Sequence, residues 1–211
     1  MNILAIGAHF DDVELGCGGS LAAHVARGDN VYVYIATVSG FSSPNNKLVR
    51  SCNIAKAEGS EAMSILGVKQ LYCGDFKTLE VEFTDELNVQ ILRLVENHEI
   101  DQVYSHWSGD IHHDHQAVAK ASLHSCRHVP RLLTYRSNWY HSPFEYRCNF
   151  YVDITNFWDI KEKAIRAHVS ELNRTGEKWI KFFKNESINA GQRIGVELAE
   201  SFEIVKWLQY D

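Results

Sequence analysis

The sequence predicts an α/β fold, a mostly parallel sheet with helices on both faces. Three observations predict it: short apolar runs rich in β-branched residues recur along the chain, segments with apolar residues at helical spacing separate them, and glycine or polar turns mark the joints. Strand and helix in alternation give parallel strands, because each helix carries the chain back to the same end of the sheet.

The elements follow in order. Asn2 to Ala8 is a short buried strand, and Val31 to Val38 (VYVYIATV) a second. Between them Gly18 to Gly28 carries Leu21, Ala22 and Val25 at helical spacing and stops at a glycine, which completes a βαβ unit. Ser39 to Lys47 lacks periodicity and reads as a loop, placed after a parallel strand and so near any active site. A helix from Val49 to Leu66, a strand from Gln70 to Cys73, a helix from Thr84 to Asn97 and a strand from Gln102 to His106 continue the alternation. A helix from His115 to His128 and strands at Arg131 to Tyr135 and Phe150 to Ile154 come next. Helices from Asn156 to Leu172 and Glu177 to Asn189 and an apolar run from Phe202 to Trp207 complete the chain. No repeat or proline-rich linker interrupts it, so residues 1–211 are expected to form one domain.

Composition narrows the partners. Lys plus Arg number 21 against 27 Asp plus Glu, a formal charge of -6, so no broad attraction for nucleic acid or anionic membrane is expected and a small-molecule partner fits better. No run approaches the ~18 apolar residues of a transmembrane helix. Ile3 to Ala8 follows no basic segment and meets Asp11, Asp12 and Glu14 at once, as a core strand does and a signal peptide does not. The five cysteines are odd in number and contain no C-x-x-C pair, which argues against disulfides or a thiolate metal site and points to a reducing cytoplasm. A homo-oligomer is left open.

Two clusters carry the chemistry. The first, Ala8-His9-Phe10-Asp11-Asp12-Val13-Glu14, sits where the first strand ends, at the sheet edge where open α/β folds place ligands. His9 and Asp12 are ordinary zinc ligands and can point at one ion, leaving Asp11 as a spare carboxylate for general-base hydrolysis. The alternative is that these acids cap the following helix, and for Glu14 that reading is preferred. The second cluster, Asp110-Ile111-His112-His113-Asp114-His115, follows the strand Gln102 to His106. His112 and His115 are three apart and share one face at a helix entry. The two strands are neighbours where strand order reverses in a doubly wound sheet, so the loops are expected to face each other and form a three-ligand site with an open fourth position, the competing readings being a surface His cluster that binds metal adventitiously or histidines satisfied in a helix cap. His106 ends its strand and is placed to line the pocket; His24, His98, His124, His128, His141 and His168 stand alone and receive no role. Glycines 16, 18 and 19 do not form G-x-G-x-x-G, and the nearby acids would repel phosphate.

With these motifs the sequence resembles the PIG-L/LmbE-like family of zinc-dependent N-deacetylases, marked by an A-H-P-D-D-E-like and an H-x-D-H motif. The likeness extends through Glu58, Ala62, Leu66-Gly67-Val68, Val152-Asp153-Ile154-Thr155 and Ala199-Glu200-Ser201-Phe202. It implies a Rossmann-like fold with zinc held by His9, Asp12 and His115, iron or cobalt being possible substitutes. It implies Asp11 as general base toward the attacking water and acid toward the leaving amine, with His112 stabilising the oxyanion as a cationic donor, oriented by Asp114. Two positions depart from the pattern. Phe10 replaces the usual proline, and the arginine common three residues before the helix glutamate falls at Ala55, leaving Arg50, Lys56 or Arg193 to supply the cation.

The expected reaction is hydrolysis of the N-acetyl group of an amino sugar or glycoconjugate. The alternatives are a zinc amidase on a non-sugar N-acyl substrate, or a catalytically silent sugar- or nucleotide-binding domain. Phe41, Trp107, Trp139 and Tyr140 are candidates to stack on a sugar ring.

Overall fold

In the computed structural model of the chain, residues 1–209 are described. The elements run β1 (Asn2–Gly7), α1 (Asp12–Ala26), β2 (Asn30–Thr37), β3 (Phe41–Ser42), β4 (Leu48–Arg50), α2 (Cys52–Leu66), β5 (Gln70–Phe76), α3 (Asp85–Asn97), β6 (Gln102–His106) and α4 (His113–Ser125). β7 (Arg131–Tyr135), β8 (Phe150–Asp153), α5 (Trp158–Arg166), α6 (Val169–Thr175), α7 (Lys178–Ile194) and β9 (Ala199–Trp207) follow. The main sheet has the order β5-β2-β1-β6-β7-β9-β8. β5, β2, β1, β6 and β7 are mutually parallel, and β9 and then β8 add antiparallel at one edge. The chain leaves β1 toward β2 on one side and later reaches β6 on the other, so the crevice between the ends of β1 and β6 is the switch point where such sheets bind ligands.

Alternation along β1 feeds two cores. Ile3 and Ala5 face α1, α2 and α5 with Val33, Leu21, Ala62 and Leu66. Leu4, Ile6 and Ala8 face α3 and α4 with Leu87, Ile91 and Val118. A third cluster, Leu15, Trp158, Trp179 and Phe183 among others, packs the C-terminal helices onto α1.

Three local readings change. α1 starts at Asp12 rather than Gly18. Its glycines weaken the helical signal, yet close packing requires them: a Cβ on Gly16 would lie 2.1 Å from the Tyr135 ring. The expected loop 39–47 holds the first strand of a small hairpin, β3 on β4, whose second strand takes Val49 and Arg50 from the helix expected to begin there. The expected helix 156–172 breaks at His168, whose backbone (φ -79, ψ 62) is not helical.

Phe10, the residue standing in place of proline, is buried with its ring against α2, where a Cβ on Gly59 would fall 2.1 Å from it. Its N–H also donates to Ser39 Oγ at 2.8 Å, a bond proline cannot make. Phe10→Ala is expected to destabilise the fold by ~3–5 kcal/mol, read as a lower denaturant midpoint; a change under about 1 kcal/mol would show that the ring is not packed as described.

Candidate metal centre

After β1 the chain turns through residues 8–11 and enters α1 at Asp12. The Asp12 carboxylate folds back on this turn: Oδ2 accepts from the His9 N–H (2.7 Å) and the Ala8 N–H (3.1 Å), and Oδ1 from Ser137 Oγ (2.8 Å). Asp11 sits at the helix N-cap with φ 126, a conformation L residues avoid at a cost of ~1–3 kcal/mol and which clusters at functional sites. Its side chain makes no capping hydrogen bond and instead lines a cavity of about 290 Å³. Glu14 does not serve as an exposed cap either; its carboxylate is fully buried on His168.

The loop after β6 brings His112 and His115 to the same crevice. His115 Nε2 lies 3.3 Å from His9 Nδ1 and 3.2 Å from Asp12 Oδ1, and His9 Nδ1 lies 3.3 Å from Asp12 Oδ2. The opposite ring nitrogens are held by carboxylates: His9 Nε2 by Asp114 (2.8 Å) and His115 Nδ1 by Asp110 (3.0 Å). In the neutral rings those outer nitrogens carry the protons, so two lone pairs and a carboxylate converge on one point. Such a cluster is repulsive unless a cation or extra protons fill it. Ligand atoms in a tetrahedral shell with bonds of ~2.0–2.1 Å stand ~3.3 Å apart, as His9 Nδ1 and His115 Nε2 do; Asp12 faces them with different oxygens, Oδ2 toward His9 and Oδ1 toward His115, and histidines backed by carboxylates are the usual support of bound metal. The donor set therefore fits a divalent ion. His106 also approaches Asp12 (3.2 Å), but its Nε2 accepts the Ala8 N–H at 3.0 Å, so that lone pair is occupied.

The charges follow from this crowding. Burial pulls the His9 and His115 imidazoles down, but the adjacent carboxylates outweigh it and carry them up to about 9 and about 10 when no metal competes with the protons. Burial and the cationic His115 and His9 push His112 down to about 4. His112 Nδ1 accepts the Asp114 N–H at 3.2 Å, so the ring presents a neutral Nε2–H rather than the cation expected. The Asp114 carboxylate itself lies on His9, His113 and the N–H groups of Leu79 and Val81; it orients His9, and only its main chain touches His112.

Burial and neighbouring Asp12 push the Asp11 carboxyl up to about 7, against the pull of Arg50. Of the three cations named as substitutes for the expected arginine, Arg50 is the one that lies at the site. Ala55 is wholly buried in the core and leaves no room for one; Lys56 is exposed and Arg193 lies against Cys148. Arg50 Nη1 donates to Phe10 O (3.1 Å) and Asp11 Oδ2 (3.4 Å), and Nη2 to Glu58 (2.9 Å) and His168 Nδ1 (3.1 Å). Of the four candidate stacking aromatics, Phe41, Trp139 and Tyr140 line the cavity, whereas Trp107 is buried against Tyr146.

Sequence reasoning missed several partners. Asp110 lay inside the histidine-rich run and was legible there as a support for His115. Ser137 on Asp12 and Asn138 on Asp110 (2.6 Å) come from the stretch after β7, and His168 from the helix break, with no local signal.

The family model for GlcNAc-PI de-N-acetylase (PIG-L) matches residues 4–126, more than half the chain and both clusters. The chain belongs to the PIG-L family. This PIG-L enzyme is a deacetylase-type hydrolase. It is 37% identical over 155 residues to the "Uncharacterized deacetylase YaiS" of Escherichia coli, covering 65% of this chain and 75% of that one. It is 23% identical over 221 residues to the diacetylchitobiose deacetylase of Thermococcus kodakarensis, covering 96% and 82%. The fold of the PIG-L chain matches that of the conserved protein TT1542 from Thermus thermophilus with a TM-score of 0.82 at 24% identity, over 99% of this chain and 96% of that one.

Proposed function

We propose that this PIG-L enzyme hydrolyses the N-acetyl amide of an amino sugar or glycoconjugate, with zinc held by His9, Asp12 and His115, releasing acetate and a free amine. The observation that carries the reading is the convergence of His9 Nδ1, His115 Nε2 and the Asp12 carboxylate beside an uncapped Asp11 on strained backbone. An ion held by His9, Asp12 and His115 would supply Lewis acidity and make water a competent nucleophile near neutral pH. Asp11 takes a proton from the attacking water as the C–O bond forms and returns it to the nitrogen as the C–N bond breaks. The His112 Nε2–H donates to the oxygen that gains charge. Asp110 and Asp114 hold the ligand rings in the required tautomers.

The sugar assignment is supported by the cavity, whose Phe41, Trp139 and Tyr140 offer ring faces to a pyranose, and by the activity named for the Thermococcus relative. The test is a panel of N-acetylated sugars, disaccharides and non-sugar amides, assayed for released acetate with protein stripped by chelator and reloaded with zinc. Turnover confined to sugars and restored by zinc is expected. Turnover of non-sugar amides alone would replace the substrate reading, and no metal dependence would remove the mechanism.

A further inference from the structure

Behind Arg50 runs a buried line of groups that the chemistry above does not use. Glu14 and His168 are both fully buried, and His168 Nε2 lies 2.6 Å from Glu14 Oε1. The other nitrogen, Nδ1, lies 3.1 Å from Arg50 Nη2. A guanidinium has only donors, so Nδ1 is the acceptor and the proton sits on Nε2, facing Glu14. The tautomer is thus set from both sides, by Arg50 and by Glu14.

The fold is arranged around this contact. The helix that the sequence predicts through residue 172 breaks at His168, which places the ring inward, and the next turn, beginning α6, ties down the second anchor of Arg50. Glu58 accepts from the Ser170 N–H (2.7 Å) and Ser170 Oγ (2.6 Å) while it holds Arg50 Nη2. Arg50 is therefore gripped by four acceptors from three parts of the chain: Phe10 O and Asp11, Glu58, and His168. Its contact with Asp11, at 3.4 Å, is the longest of the four and the one most easily lost if the plane of the guanidinium turns.

We propose that His168 is a positioning residue whose Nδ1 acceptor holds the Arg50 guanidinium in the plane that aims Asp11 into the cavity. The inference rests on the reading of Asp11 as the base. His168 touches no substrate; it acts through Arg50.

Three variants separate this from simple core packing. In His168→Asn the amide oxygen takes the place of Nδ1 and keeps the acceptor for Arg50. In His168→Gln the amide nitrogen reaches the place of Nε2 and keeps the donor to Glu14 but not the acceptor. His168→Ala keeps neither. With whichever N-acetyl sugar the native protein turns over, His168→Gln and His168→Ala are expected to lose about 10- to 100-fold in kcat with KM and metal content unchanged, as misplacement of a catalytic group does. His168→Asn is expected to lose no more than about threefold, because the acceptor to Arg50 is what matters for aim. Equal loss in Asn and Gln variants, or native kcat in folded His168→Ala, would overturn the proposal.

A readout independent of turnover is the nitrogen-15 spectrum of the arginine guanidinium groups. A set of slowly rotating Nη–H signals, assigned by its absence in Arg50→Lys, is expected in the native protein and in His168→Asn, and is expected to collapse in His168→Gln. Persistence in His168→Gln would overturn the proposal even if no substrate were found. Activity retained in Asp11→Asn would instead remove the base assignment, leaving the guanidinium result standing.

Discussion

Asp11→Asn is expected to keep its metal and its fold and to lose ~10²- to 10⁴-fold in kcat, the range that general acid–base catalysis contributes. The substitution is close to isosteric, and asparagine enters positive-φ backbone more readily than most residues, so the φ of 126 is not a new strain. Asp11 lies outside the convergent set of His9, Asp12 and His115, so metal content should match the native protein. The same group predicts a pH profile. Burial and Asp12 raise its carboxyl to about 7, and only the ionised form accepts a proton. Native kcat/KM should therefore fall as pH drops below this value, and a bound divalent ion, which favours the carboxylate, moves the fall toward lower pH. Near-native turnover by Asp11→Asn would show that another group is the base.

His115→Ala should abolish tight metal binding and activity together. It removes one of the convergent lone pairs and leaves Asp110 and Asp12, both buried, without a shared partner. Metal analysis of protein purified without added ions should give about one equivalent of tightly held ion in the native chain and far less in the variant. In the native protein the ion competes with protons on His9 and His115, which stand at about 9 and about 10 in its absence, so apparent affinity should rise with pH until those values are passed. Stability has the opposite sign in chelated protein. Because both values are raised above 6.5, their stabilisation is complete below about 6.5 and is lost as pH rises through 9 and 10. Chelated protein should melt at lower temperature at pH 9 than at pH 6.5, with metal-loaded protein far less affected. Metal bound as tightly by His115→Ala as by the native chain would place the ion elsewhere in the crevice, His9, His106 and His112 being the remaining imidazoles.

The two motif loops were legible because their chemistry is local. His9, Asp11 and Asp12 share one turn, and Asp110, His112, Asp114 and His115 share another, so spacing alone displayed the donors. The parallel sheet was legible from alternation, and the neighbourhood of β1 and β6 from the rule that places strands about a switch point. What each donor does inside the site was a different matter. The Asp114 carboxylate holds His9, brought from across the sheet, rather than His112, which meets only the Asp114 main chain.

The supports came from still farther away. Ser137 and Asn138 reach Asp12 and Asp110 from the stretch after β7. Arg50, forty residues from Phe10 by the chain, reaches the Phe10 carbonyl and the Asp11 carboxylate. The helix break at His168 follows no proline or glycine, and the ring is turned inward toward Glu14 and Arg50. Local spacing and periodicity thus determined the sheet, the switch point and the reactive residue types. Only the packed tertiary structure decided protonation, aim and support, since these depend on burial and on charges that meet solely when distant segments fold together.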